Sequence, residues 1–216
     1  MVHNLSDDSS VLHQFLLEIR HSSIQKDAMR FRRNLERIAE LMAYELSKTF
    51  SYISSDVQTP LGVAQQQISK DKLVLATILR AGLPFHQGFL NYFDHSESAF
   101  VSAYRRKSSH AEGFEIDLGY FSSPSLSEKV LILSDPMLAT GLSLVACCKA
   151  LIEKYGTPTR IVLCAVLAAP EGIAYVHSQL PNAEIWVAHI DEKLSEKGYI
   201  LPGLGDAGDL AYGDRI

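Results

Sequence analysis

The run Ser134-Asp135-Pro136-Met137-Leu138-Ala139-Thr140-Gly141-Leu142-Ser143 places an acid ahead of a Thr-Gly-x-Ser turn, with no lysine in it. Four apolar residues, Val130 to Leu133, precede it and predict a short buried strand. Residues 144–155 predict a helix, and Gly156 stands where that helix should end. A strand passing through such a loop into a helix aims backbone N–H groups and two hydroxyls at one point, where the helix dipole also favours an anion. A phosphate suits that point. Without a lysine, the loop is not the Gly-x-x-x-x-Gly-Lys nucleotide loop. Asp135 is a poor neighbour for a bare phosphate, but a good one for a sugar hydroxyl or a metal-bridged ribose beside it. The same residues also fit an ordinary strand-to-helix turn capped by Thr140 or Ser143.

Two other places carry candidate chemistry. Arg80 follows a mostly apolar run and precedes Ala81-Gly82, small residues that let a ligand approach the backbone. Its guanidinium fork matches pyrophosphate oxygens, although a surface arginine ending a strand reads the same way. Near the C-terminus, Gly203, Gly205 and Gly208 alternate with Tyr199, Ile200, Leu201, Pro202 and Leu204. Flexible tails rarely hold so many apolar residues; glycines there leave backbone groups able to face a flat ring. Elsewhere the sequence offers less. The eight histidines form no ligand set, and Cys147, Cys148 and Cys164 lack metal-ligand spacing and read as buried small residues. Trp186 alternates with Ile185 and Val187 and reads as packing. No Ser/His/Asp order supports a hydrolase.

The segment from Val130 to Ser143 resembles the phosphoribosyl-pyrophosphate loop of phosphoribosyltransferases. Its single acid followed by Pro-Met-Leu-Ala-Thr-Gly is similar to the uracil phosphoribosyltransferase branch; other branches carry two adjacent acids, and the first is Ser134 here. Ile78-Leu79-Arg80-Ala81-Gly82-Leu83, Ala168-Ala169-Pro170-Glu171-Gly172-Ile173 and the stretch from Gly198 to Asp209 agree with that family in order. The resemblance runs from about Arg30 to the C-terminus.

The resemblance implies transfer of phosphoribosyl from phosphoribosyl pyrophosphate (PRPP) to uracil, giving UMP and pyrophosphate. It implies that Arg80, and Arg105 in the Tyr104-Arg105 pair, contact the pyrophosphate. Asp135 would hold the ribose hydroxyls, Pro136, Met137 and Leu138 would belong to the same PRPP-binding loop, and Ala139 to Ser143 would cradle the 5′-phosphate. Ile200, Gly205, Asp206 and Ala207 would line the base site, with Asp206 also near the phosphoribosyl group. Mg2+ would be held mainly by substrate and water. The family further implies a homo-oligomer, a dimer or tetramer, and a nucleotide effector such as GTP. Read without the family, Arg105-Arg106-Lys107 is a solvated basic turn.

The sequence departs from the family pattern in three places. Leu142 stands where a second glycine is usual. The loop over 106–127 lacks the usual Thr-Leu-Glu-Pro, keeping Tyr120-Phe121 but with Ser122-Ser123 in place of a lysine. Leu210-Ala211-Tyr212-Gly213 lacks the usual basic residue. The altered loop keeps open a non-catalytic sensor of UMP or PRPP; a second alternative is an RNA-binding pyrimidine regulator on the same scaffold.

The elements that must position these residues follow from periodicity. Val11, Phe15 and Ile19 predict a short helix. Phe31, Leu35, Ile38, Met42 and Leu46 predict a longer one over 24–48, a candidate oligomer interface. A hairpin is expected over 52–57 and 63–68. Strands at 73–79, 99–104, 129–133, 160–167 and 184–188 alternate with helices at 84–93, 144–155 and 171–179. Continuous apolar strands between helices predict an α/β fold, a parallel sheet covered on both faces. Ligands of such sheets gather at the carboxyl ends of the strands, where Arg80, Arg105 and Asp135 are expected. The polar insertion over 106–127, with a hairpin at 114–121, reads as a functional or mobile loop.

A chain of 216 residues, 47% hydrophobic and 21% charged, suits one domain: N-terminal helices 8–48, core 72–190 and C-terminal hood 191–216. The net charge of −5 counts against a nucleic-acid partner. No apolar run matches a membrane span and no signal-peptide pattern is present, so a cytoplasmic protein is expected.

Overall fold

The computed structural model describes residues 1–107 and 114–214, without the side chains of 104–107 and 114–116. The tip of the 106–127 insertion, with His110, lies outside the described residues. In chain order the elements are β1 (Val2–Asn4), α1 (Leu12–Arg20), α2 (Ala28–Ser47), β2 (Tyr52–Thr59), β3 (Gly62–Ser69) and β4 (Leu73–Leu79). Then come α3 (Gly82–Leu90), β5 (Glu97–Lys107), β6 (Phe114–Ser122), β7 (Val130–Ser134), β8 (Met137–Leu138), α4 (Leu142–Tyr155) and β9 (Arg160–Ala168). The chain closes with α5 (Pro170–Gln179), β10 (Glu184–Ile190), β11 (Lys193–Leu194), β12 (Ile200–Leu201) and α6 (Ala207–Tyr212). No helix among the described residues is long and apolar enough to cross a membrane.

The central sheet runs β1-β10-β9-β7-β4-β5-β6, with β8 pairing the end of β9. All its pairs are parallel except β5 with β6. Both faces are covered over β4, β7 and β9, so these strands are largely apolar and alternate only in which layer they feed. Val130 and Ile132 of β7 pack with α1, α2 and α3, whereas Leu131 and Leu133 pack with α4 and α5. Gly88 marks how tightly the first layer closes: a Cβ there would lie 2.2 Å from the Glu36 carbonyl oxygen of α2.

Boundaries and faces shift for local reasons. The helix expected over 24–48 starts at Ala28 because Asp27 caps it, its carboxylate accepting from the Arg30 N–H at 3.1 Å. In α1 the inward residues are Leu12, Leu16 and Ile19, so the expected stripe is rotated; Val11 is exposed. The apolar face of α2 is spent inside the chain, with Phe31, Leu35, Ile38, Met42 and Leu46 all buried, so any interface on this helix would use its other face. The hairpin β2–β3 instead leaves Ile53, Val57, Leu61, Val63 and Ile68 exposed. Strand β1, at the sheet edge beside β10, has no counterpart in the sequence expectations. The cysteines are buried, as read; burial pushes the Cys147 and Cys148 thiols up to about 12.

His86 of α3 is buried, its Nε2 3.2 Å from Ser98 Oγ, and burial lowers its pKa from 6.5 to about 4. The unfolded chain therefore takes up that proton first. Stability contributed by neutral His86 is present above pH 6.5 and is lost as pH falls toward 4. Wild type should lose about 3 kcal/mol more than His86→Gln across that window. Urea unfolding at pH 7 and pH 4 measures the difference. Parallel losses in the two proteins would contradict it.

Candidate active site

The order of strands locates the site. From β4 the chain moves to β5 on one side, then returns to β7 on the other side and continues outward to β9 and β10. The reversal opens a crevice between the carboxyl ends of β4 and β7, where open α/β sheets bind ligands. Arg80 follows β4 and Asp135 follows β7, and the two strands are in register through Thr77 and Ser134. Two residues distant in sequence thus flank one crevice.

A buried hydroxyl pair underlies it. Thr77 Oγ1 donates to the Ser134 carbonyl at 3.3 Å, and Ser134 Oγ donates to the Ala76 carbonyl at 3.1 Å. Ser134, at the place of a second acid in other branches, therefore ties β7 to β4. The close fit requires Gly82, whose Cβ would sit 2.1 Å from Thr77 Oγ1. Arg80 leaves β4 through a cis Leu79–Arg80 peptide.

The loop after β7 is fixed along its first half. The Asp135 N–H donates to the Cys164 carbonyl at 3.0 Å, and its Oδ1 accepts from the Met137 N–H at 3.2 Å. The Pro136 carbonyl accepts from the N–H groups of Val166 and Leu167 at 3.0 Å, and the Leu138 carbonyl accepts from Ala169 at 3.0 Å. Pro136, Leu138 and Ala139 are buried as a result; Asp135, Met137, Thr140, Leu142 and Ser143 are half-exposed.

Gly141 then caps α4 in the left-handed region, φ +79°, with no side-chain cap bond. Thr140 Oγ1 is 3.4 Å from the Leu142 N–H, a long contact, so a conventional Thr or Ser cap does not account for the turn. The positive end of α4 faces the loop without a capping side chain, as an anion site needs. Among the described residues the one non-glycine with positive φ is Glu128, so Leu142 needs no glycine freedom.

The Ala168–Ile173 motif backs this loop. A Cβ on Gly172 would lie 2.1 Å from the Ala139 carbonyl oxygen, and one on Gly141 would lie 2.9 Å from the Gly172 carbonyl oxygen. Gly172→Ala should push the loop off α5 and cost about 1–3 kcal/mol. Chemical unfolding measures this; an unchanged midpoint would contradict the close fit.

The C-terminal segment comes back over Arg80. One guanidinium nitrogen donates to Asp209 Oδ1 at 3.0 Å, and two reach the Gly213 carbonyl at 3.3 Å. Asp206 caps α6, its Oδ1 accepting from the N–H groups of Gly208 and Asp209 at 2.8 and 3.0 Å. Ile200 and Ala207 are buried, and Gly205, at φ +100°, has nothing within 4 Å of its Cβ direction. That face of the segment is open to a planar group. The short β11–β12 pair carries the segment, and Glu171 of α5 accepts from the Leu194 N–H at 3.0 Å.

Arg105 differs from expectation in its backbone. Strand β5 does not end at Tyr104 but runs to Lys107, with Arg105 opposite Ile116 of β6. The basic residues form a ladder with β6 rather than a turn. The Arg105 side chain lies outside the described residues.

Sequence reasoning missed Asp191, Arg20 and Asp209. Asp191 has a legible signal, since it follows a strand just as Asp135 does. Arg20 and Asp209 are read only from the contacts they make. Among the described residues no three His, Cys, Asp or Glu side chains cluster as a metal cage. A divalent cation here would draw most of its oxygens from ligand and water.

The chain is similar to known proteins over nearly its whole length. The family model for uracil phosphoribosyltransferase matches residues 6–214. The uracil phosphoribosyltransferase of Porphyromonas gingivalis is 50% identical over 214 residues, 99% of this chain and 98% of that one. That of Pyrococcus furiosus is 41% identical over 213 residues, 97% of this chain and 89% of that one. A solved Aquifex aeolicus protein superposes with a TM-score of 0.87 at 29% identity, covering 99% of this chain and 98% of that one.

Proposed function

Because the chain belongs to the uracil phosphoribosyltransferase family, we propose that it transfers phosphoribosyl from PRPP to uracil, releasing pyrophosphate and forming UMP. The observation that carries this reading is the convergence at one crevice of Arg80, Asp135, the glycine-capped loop and the C-terminal segment.

Uracil N1 attacks C1′ as the bond from C1′ to pyrophosphate breaks, through a sugar cation with oxocarbenium character. Side chains contribute position and charge more than covalent chemistry. Asp135 holds the ribose hydroxyls from the end of β7. The N–H groups of the loop and the first turn of α4, from Ala139 to Ser143, receive the 5′-phosphate. Arg80 takes the pyrophosphate, whose oxygens compete with Asp209 and the Gly213 carbonyl for the same guanidinium. Resemblance to the family gives Arg105, carried on β5, a second pyrophosphate contact.

The backbone from Ile200 to Ala207 reads the base, with Gly205 giving the ring its open face. Mg2+ would be held mainly by substrate oxygens and water, and when bound would neutralise pyrophosphate charge. The three parts work as one unit: the N-terminal helices over 8–48, the core over 72–190 and the hood over 191–216. A second copy of the chain covers the exposed hairpin β2–β3, which on its own is a marginally stable element.

Arg80→Ala tests the assignment by comparison among ligands. It should weaken PRPP and pyrophosphate by about tenfold or more while changing UMP, which lacks the pyrophosphate, far less. Calorimetry on the three ligands measures it. Equal losses would contradict the role given to Arg80.

A further inference from the structure

The base-reading segment is held from outside by the N-terminal layer, through its backbone. Asp191, one residue past β10, has a side chain 1% exposed. Its carboxylate accepts from both terminal guanidinium nitrogens of Arg20, the last residue of α1, at 2.7 and 3.0 Å, and from the Gly203 N–H at 3.0 Å. Arg20 also donates to the Gly203 carbonyl at 3.3 Å, so arginine and aspartate grip both polar groups of one glycine. His189 Nε2 lies 3.6 Å from the same carboxylate.

Two more N-terminal side chains act alike. The Gln25 side-chain amide, between α1 and α2, has one end 3.0 Å from the Leu204 carbonyl and 2.8 Å from the Ile19 carbonyl; two facing acceptors assign the nitrogen to that end, as donor to both. Arg32 of α2 donates to the Ala211 carbonyl at 2.6 Å, and its guanidinium lies 5.7 Å from the Tyr212 ring centre. The backbone of Asp191 donates to the Ala168 carbonyl at 2.8 Å, beside Ala169, which bonds the phosphate loop at Leu138. One buried acid thus joins the support of the phosphate loop to the turn that precedes Gly205.

We infer that Arg20, Gln25 and Asp191 are positioning residues for base recognition, setting the Gly203–Leu204 backbone from which Gly205 and Ala207 meet the base. The inference rests on reading Ile200 to Ala207 as the base site. The chemistry favours this device. A reader made of backbone groups has no side chain of its own to adjust, so its precision comes from whatever fixes its dihedrals and carbonyls. Gly203, at φ +61°, is otherwise among the least restrained residue types. A charge-assisted bidentate pair restrains it far better than water would.

The test compares kinetic constants for uracil and PRPP in wild type, Arg20→Gln, Arg20→Lys and Gln25→Glu. Arg20→Gln should raise KM for uracil by about tenfold and lower the preference for uracil over cytosine, while KM for PRPP stays within about twofold. Arg20→Lys, which keeps the charge without the fork, should fall between. Gln25→Glu is isosteric and turns a donor into an acceptor facing the Leu204 carbonyl. It should reproduce the uracil-specific defect without removing a buried charge, and it decides the matter alone if the Arg20 variants fail to fold. Uracil KM unchanged, or both constants rising together, would show general support and overturn the inference. A folded wild type inactive on every base would overturn the functional reading itself, and the inference with it.

Discussion

Asp135→Asn should leave the protein folded and reduce kcat by about a hundredfold, equivalent to about 3 kcal/mol of lost transition-state stabilisation. Asparagine keeps an oxygen able to accept from the Met137 N–H, and the Asp135 backbone bond to Cys164 does not involve the side chain. The local turn therefore survives. What disappears is a negative charge at the carboxyl end of β7, where the proposed mechanism has a sugar cation form as pyrophosphate departs. A charge aimed at a developing cation counts far more in the transition state than in the ground state, so the loss belongs in kcat more than in binding. Steady-state kinetics with a circular dichroism control measures it. Near wild-type turnover in a folded variant would remove Asp135 from the mechanism.

Base choice should show an effect at least as large. Uracil offers an acceptor at O2, a donor at N3 and an acceptor at O4, which a backbone carbonyl between two N–H groups matches. Cytosine reverses the pattern at N3 and at C4, setting like groups against each other in a partly closed site. Each such loss costs about 1–3 kcal/mol, so two should lower kcat/KM for cytosine on the order of a thousandfold. 5-Fluorouracil keeps all three groups and should react. Purines should fail, because the segment between buried Ile200 and buried Ala207 is expected to take one ring. Competition assays with PRPP give the ratios. Cytosine or hypoxanthine used as well as uracil would mean that this backbone does not read the base.

The legible parts of the molecule are those whose signal is local. The apolar runs of β4, β7, β9 and β10 are visible because two covering layers leave no polar face to confuse them. The Asp135 loop and Arg80 are visible because glycines, hydroxyls and charges sit together at strand ends.

Contacts made across the fold are less legible. Arg20 looks like any charged residue on a helix face until Asp191, 171 residues away, buries beside it. Strand β1 has three residues, too few for alternation to register, and exists because the β10 edge offers it partners. The Arg105 region looks like a basic turn because pairing with β6, not apolar content, keeps it extended. Leu142 is an apparent departure from the family that the backbone absorbs, since the left-handed position is Gly141. The ground it offered for a non-catalytic sensor is thereby weakened.

The central claim, phosphoribosyl transfer to uracil, is tested most directly by incubating the protein with uracil, PRPP and Mg2+ and following products by chromatography. The account predicts UMP and pyrophosphate in equal amounts, with neither formed when uracil is withheld. Folded protein that binds PRPP yet yields no UMP, or that makes a nucleotide from another base in preference to uracil, would contradict it.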